Sequence, residues 1–333
     1  MSRALVVFPG RGSYGPGSLG SLPPQHPWVR RADELRVAEG LTPLSALDAS
    51  ERFDPGIHLR PTNAWPLILL CGLLDAERIA DDNEVVAVTA SSTGWFTALA
   101  ASGALGFDDA MRLAQEMARA AEAPLRNGDR AAEIIYPLTD DAWRPDEGVV
   151  ERVATTLAAA SDAHLAVDLG AFAVIGGLDD AVETVRLRLQ PVTIGNRTYP
   201  MRLAAADGWH TPLRASAVAG AAARLGELSW ERPNVTLIDG RGYRFTPWST
   251  DPGELAAATL TGQGQATYDF AAGMGVALRD YAPDVVLLAG PGGSLGAACA
   301  QLVVMEGYRG LRTRADLEAT QAGPSPLLLS LRR

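Results

Sequence analysis

The sequence predicts an α/β protein, a large unit on a parallel sheet interrupted by a small α+β insert. Three observations predict it. Short apolar, β-branched runs at 4–8, 85–88, 235–239 and 285–289 are separated by long helical stretches, as parallel strands with crossover helices require. The texture changes near 125–129, and the residues that follow read β-α-β-β-α-β. At 333 residues and 47% hydrophobic, the chain is long enough for one large core and a smaller one.

Taken in order, 4–8 is a buried strand followed by the turn Pro9-Gly10-Arg11-Gly12-Ser13-Tyr14-Gly15. Its spacing differs from a dinucleotide-binding turn, and Pro16, Pro23 and Pro24 break the helix such a turn needs, so it reads as a loop lining a cleft. Residues 28–53 are charged and irregularly helical. A turn over 59–66 opens a helix at 67–80. Strand 85–88 then enters the small-residue break Thr89-Ala90-Ser91-Ser92-Thr93-Gly94, and a helix follows from Trp95. Strand, tight turn and helix make a nucleophile elbow, which exposes one hydroxyl beside unpaired helix N–H groups that can hold an oxyanion. The usual G-x-S-x-G appears as Ala90-Ser91-Ser92-Thr93-Gly94, with alanine for the first glycine. A strand running into a Ser/Thr helix cap is the plainer alternative. Helix 107–123 carries Asp108 and Asp109 in its first turn, where the helix dipole favours them.

The insert reads as strand 133–138, helix 147–160, strands 165–168 and 171–175 with a turn at Gly176-Gly177, helix 178–189 and strand 199–204, a split, ferredoxin-like order. Beyond it come helix 213–228, strand 235–239, helices 253–260 and 268–278, and strand 285–289. The tail from Ala322 reads as mobile. The expected division is a large domain over 1–127 and 206–333 with an insert over 128–205.

A net charge of −10 argues against a general nucleic-acid binder. Cys71 and Cys299 form neither a metal spacing nor a disulfide framework, so a reducing cytoplasm is the simplest expectation. No signal peptide is visible, and no apolar run approaches a membrane span.

Several pieces, in this order, resemble one family: malonyl-CoA:acyl carrier protein transacylases and the acyltransferase domains of polyketide synthases. Phe8-Pro9-Gly10-Arg11-Gly12-Ser13 is similar to the family's F-P-G-Q-G-S. Residues 62–67 are loosely similar to its T-x-x-x-Q-P-A, with Trp65 replacing the glutamine. Ala90 to Gly94 sits at G-H-S-L-G, Trp209-His210-Thr211-Pro212-Leu213 resembles F-H-S-P-L, and Leu288-Ala289-Gly290-Pro291-Gly292 resembles E-V-G-P-G. The resemblance covers almost the whole chain and implies an α/β-hydrolase-like large domain with a ferredoxin-like insert. It implies Ser92 as nucleophile, His210 as base, and the backbone N–H groups of Arg11 and Thr93 as oxyanion donors. The imidazole would be oriented by a backbone carbonyl near a glutamine, and Gln265 matches that position. Acyl carrier protein and acyl-CoA are the implied partners, with a coenzyme A or phosphopantetheine thioester as substrate and no permanently bound cofactor or metal.

The departures carry information about the acyl group. Family members that use malonyl have an arginine in the helix after the nucleophile, where it binds the free carboxylate. Counting without gaps from Ser92 puts Met117 there. Arg11 and Arg214 are the possible substitutes. Ser91 stands for the histidine before the nucleophile, and Trp95 for the acidic residue after the elbow glycine. The expectation is a neutral acyl group, with Met117 and Trp95 lining an apolar acyl pocket.

Three competitors stay open. Gly292-Gly293-Ser294-Leu295-Gly296 is formally a better G-x-S-x-G, but no histidine follows it. An acyl-thioester hydrolase would use the same Ser–His scaffold. A non-catalytic carrier-binding scaffold would explain the missing glycine and histidine of the elbow.

Overall fold

The computed structural model describes residues 1–204 and 206–331. Residue 205, the last of the expected insert, and 332–333, the end of the expected large domain, lie outside the described residues.

The main sheet has six strands in the order Arg244–Phe245, Leu237–Ile238, Asn83–Ala90, Ser2–Phe8, Val285–Leu288, Leu328–Ser330. Every neighbouring pair is parallel except the first. Strand alternation divides its side chains between two cores. Ala4, Val6, Phe8, Val88 and Ala90 pack under the helices Pro61–Asp82, Gly94–Ala101 and Phe107–Glu122. Leu5, Val7, Ala87, Val286 and Leu288 pack under Phe270–Tyr281 and Gly296–Met305. This is an α/β fold with a parallel sheet covered on both faces. Among the described residues no helix is long and apolar enough to cross a membrane.

The second sheet runs Tyr268–Asp269, Ala163–Asp168, Phe172–Leu178, Ala131–Pro137, Met201–Arg202. Its four strands from 131 to 202 take the 4-1-3-2 order of a ferredoxin-like unit, and Tyr268–Asp269 adds a fifth from outside that span. Ile134, Tyr136, Ala173 and Ile175 face the helices Glu147–Ala158 and Asp179–Arg188. The alternate residues, Ile135 and Val174 among them, face the main unit.

Three local expectations are corrected. The helix expected at 67–80 begins at Pro61 and runs through Pro66. A proline inside a helix removes the N–H that would bond the carbonyl four residues back. That carbonyl, Thr62 O, is taken instead by Arg36 Nη1 at 2.7 Å and Gln115 Nε2 at 3.3 Å. Gly176-Gly177 is strand rather than turn. The glycine at 177 answers a close approach, because a Cβ there would lie 2.0 Å from Asp162 O. Residues 322–331, the described part of the tail expected to be mobile, are tied down: Leu328–Ser330 is an edge strand, and Gln321 bonds both the N–H and the carbonyl of Leu328.

Candidate active site

The elbow is shaped by backbone contact. Asn83–Ala90 pairs with Ser2–Phe8 up to Ala90 against Phe8, and the Ser91 N–H then bonds Phe8 O at 2.9 Å. A Cβ on Gly94 would lie 2.4 Å from Phe8 O, and one on Gly10 would lie 2.6 Å from Ser91 O. These two glycines let the first loop and the elbow touch. Between them Ser92 is held at φ +53°, a region that non-glycine residues rarely adopt and that clusters at functional sites.

His210 arrives on the loop that leaves the second sheet and also has positive φ, +63°. Its Nε2 lies 2.7 Å from Ser92 Oγ, and its Nδ1 lies 2.5 Å from Gln263 O. A carbonyl can only accept, so Nδ1 carries the proton and the Nε2 lone pair faces the serine hydroxyl. The His210 N–H donates to Gly264 O at 3.0 Å, which fixes the ring's origin as well as its tip. The imidazole is only 3% exposed. Burial pulls its pKa down to about 3, the positive charge of Arg11 adds to that, and the Gln263 carbonyl opposes it. At neutral pH the ring is uncharged and free to accept a proton.

Gln265 does not orient the imidazole. It is half-buried, and its side-chain amide turns back onto the Thr261 carbonyl. The carbonyl that does so belongs to Gln263, two positions earlier.

Arg11 sits between two carboxylates. Its Nη2 meets Glu133 Oε2, and its Nη1 lies 2.5 Å from Asp207 Oδ2. Burial lowers the guanidinium pKa, but Asp207 and Glu133 together outweigh it and leave it above the usual arginine value. Burial pushes the Glu133 carboxyl up; Arg11 pulls it back down while Asp207 adds to the rise. Arg214 is also engaged, donating to the carbonyls of Asp207 and Ala123, both at 2.6 Å. Neither arginine is left to receive a substrate carboxylate.

Ser92, His210, Arg11 and Thr93 border one cavity of about 420 Å³. Its apolar wall comes from the second sheet and a facing turn: Ile135, Phe172, Val174, Met201, Leu203 and Leu295. Trp65 and Trp209 also line it, packed edge to face with ring centroids 5.0 Å apart. Met117 and Trp95, expected to form the acyl pocket, do not line this cavity. Met117 lies 1% exposed within the large core, on the inward face of Phe107–Glu122. Trp95 sends its indole N–H to Thr259 Oγ1 at 3.0 Å and packs toward Phe245. Ser294 borders the same cavity on a strand–turn–helix, but its backbone is not in the left-handed region, and no hydrogen bond to a histidine reaches it among the described residues.

Sequence reading overlooked Glu133, Asp207, Gln263 and the insert's wall. One signal was available: Glu133 is a charge at the head of the apolar run Ile134-Ile135-Tyr136, and period two puts it on the face of Ile135. The pairing of that charge with Arg11, 122 positions away, has no local sign.

No protein-family profile and no curated protein sequence matches the chain. Solved structures do match its fold. An acyl-carrier-protein S-malonyltransferase from Burkholderia pseudomallei 1710b aligns over 99% of this chain and 96% of its own, with TM-score 0.74 and 19% identity. A malonyl-CoA:acyl carrier protein transacylase from Xanthomonas oryzae pv. oryzae aligns over 96% and 97%, with TM-score 0.74 and 22% identity. A malonyl-transacylase solved in complex with a type II polyketide synthase acyl-carrier protein aligns over 91% and 93%, with TM-score 0.74 and 17% identity. The chain therefore has the fold of these transacylases over more than nine-tenths of its length.

Proposed function

We propose that the protein is an acyltransferase that carries an acyl group on Ser92 between phosphopantetheine thioesters, those of coenzyme A and of an acyl carrier protein. The contact of His210 Nε2 with Ser92 Oγ at 2.7 Å carries this reading. In the first half-reaction His210 takes the Ser92 proton as Oγ attacks the thioester carbonyl. The backbone N–H groups of Arg11 and Thr93 hold the oxyanion. As the carbonyl re-forms, the C–S bond breaks, and His210 returns the proton to the departing thiolate. A second thiol repeats the steps in reverse and leaves Ser92 free. The transacylase fold of the solved neighbours supports thioester chemistry and a carrier-protein partner.

The acyl group is read as neutral. Met117 provides no cation, Arg11 faces two internal carboxylates, and Arg214 is spent on backbone carbonyls. Besides Arg11, the one arginine among the described residues that line the cavity is Arg197, exposed on the strand Arg197–Tyr199; a substrate carboxylate that does not reach it would lie unpaired beside an apolar wall, at a cost of several kcal/mol. Incubation with a labelled neutral acyl-CoA and a holo acyl carrier protein tests the reading. Label on the carrier supports transfer, whereas label in free acid alone identifies the thioester hydrolase.

A further inference from the structure

Each carboxylate beside Arg11 has a second task. Asp207 gives Oδ2 to the guanidinium and uses Oδ1 to accept the Trp209 N–H at 2.9 Å. Glu133 gives Oε2 to the guanidinium and uses Oε1 to accept the Gly208 N–H at 3.1 Å. Both backbone donors belong to the two residues immediately before His210. Three segments distant in sequence thus meet on one buried cation: the loop after the first strand, the second sheet through Glu133, and the loop carrying the imidazole. A planar guanidinium with a rigid fork can span two carboxylates, which an amide or an ammonium cannot do in the same geometry.

Resting on the acyl-serine reading, we infer that Arg11 is a positioning residue through its side chain: clamped by Glu133 and Asp207, it fixes the backbone around residue 11 beside Ser92 and, by the same contacts, sets the loop that presents His210. The arginine that stands at the expected glutamine is then matched by two carboxylates that an amide would leave without a counter-charge. Positioning of this kind counts because an oxyanion donor acts only when it is already in place as charge develops, and a displacement of about 1 Å can cost on the order of 10²-fold.

The test uses the full chain and a fluorophosphonate, whose phosphorus takes Ser92 Oγ as fluoride leaves and whose phosphoryl oxygen occupies the oxyanion position. Labelling is followed by intact mass, and folded fraction by near-ultraviolet circular dichroism. Wild type is expected to label at Ser92. Arg11→Met is expected to label about 10²-fold more slowly per folded molecule, and Arg11→Lys to recover only part of the loss. The acid limb of the Arg11→Met rate profile should also move to higher pH, since His210 loses a neighbouring positive charge; a purely structural role would not move it. Should Arg11→Met not fold, Glu133→Gln serves, because it keeps an acceptor for Gly208 and removes one of the two charges facing Arg11; about tenfold slower labelling is expected. Folded Arg11→Met or Glu133→Gln labelling at the wild-type rate overturns the inference, as does a wild type that is never labelled. A wild type labelled at Ser92 that accepts no acyl thioester sinks the acyl-transfer reading instead, and the variants still decide this one.

Discussion

His210 Nε2 faces Ser92 Oγ at 2.7 Å across 118 positions of sequence, with four strands of the second sheet folded between them. Its other nitrogen is held by the Gln263 carbonyl, so one neutral tautomer points its lone pair at the hydroxyl. Removing the imidazole by His210→Ala should slow acylation of Ser92 by about 10²–10⁴-fold with the fold retained, the usual range for a general base. Single-turnover intact mass against one acyl-CoA measures it; a variant acylating at the wild-type rate would show that the histidine is not the base.

The pH dependence follows from burial of the same ring. Unfolded, His210 binds a proton near pH 6.5; folded, it resists protonation down to about pH 3. Between those values the unfolded chain holds the extra proton, so this contribution is complete above pH 6.5 and is lost as pH falls, at up to about 1.4 kcal/mol per pH unit. Urea unfolding at pH 7 and pH 5 should show a smaller loss for His210→Gln than for wild type. An equal loss in both would place the titrating group elsewhere.

The cavity wall makes a prediction about chain length. Across straight-chain neutral acyl-CoA donors, kcat/KM should rise about fourfold per added methylene, the worth of one buried CH₂, until the cavity is full. Phe172→Ala should move the optimum to longer chains, since Phe172 lines that wall. Malonyl-CoA should fall below a neutral donor of similar length. A malonyl preference would mean that a cation reaches the acyl group, and Arg197, which lines the cavity, would be the residue to test.

Gly94→Ala should abolish acylation and destabilise the protein by about 2–4 kcal/mol, because its Cβ would meet Phe8 O at 2.4 Å, a backbone atom that cannot move aside cheaply. Denaturant unfolding and Ser92 labelling check the two parts. Unchanged stability would show that the elbow and the first strand do not touch as described.

The parts legible in the sequence are those with local chemistry. The strands at 2–8 and 83–90 announce themselves by β-branched runs, and the elbow by its small residues. The ferredoxin-like order could be read from 131 to 202 because each element there has its own period. What escaped is set by tertiary contact. Pro66 reads as a helix breaker until Arg36 and Gln115 arrive to satisfy Thr62 O. Gly176-Gly177 reads as a turn until Asp162 O presses on the strand. Met117 and Trp95 follow the nucleophile closely in sequence, but their helices turn both side chains into packing, and the open wall is supplied by the insert. Gln265 missed by two residues, because a side-chain match could not reveal which backbone carbonyl reaches Nδ1.

Acyl transfer by this protein requires that Ser92 carry the acyl group. Intact-mass measurement of wild type and Ser92→Ala after incubation with a panel of neutral acyl-CoA thioesters tests this most directly. One acyl mass should appear on wild type, at Ser92, and none on Ser92→Ala. Adducts of equal yield on both proteins, or none on wild type with any donor, would contradict it.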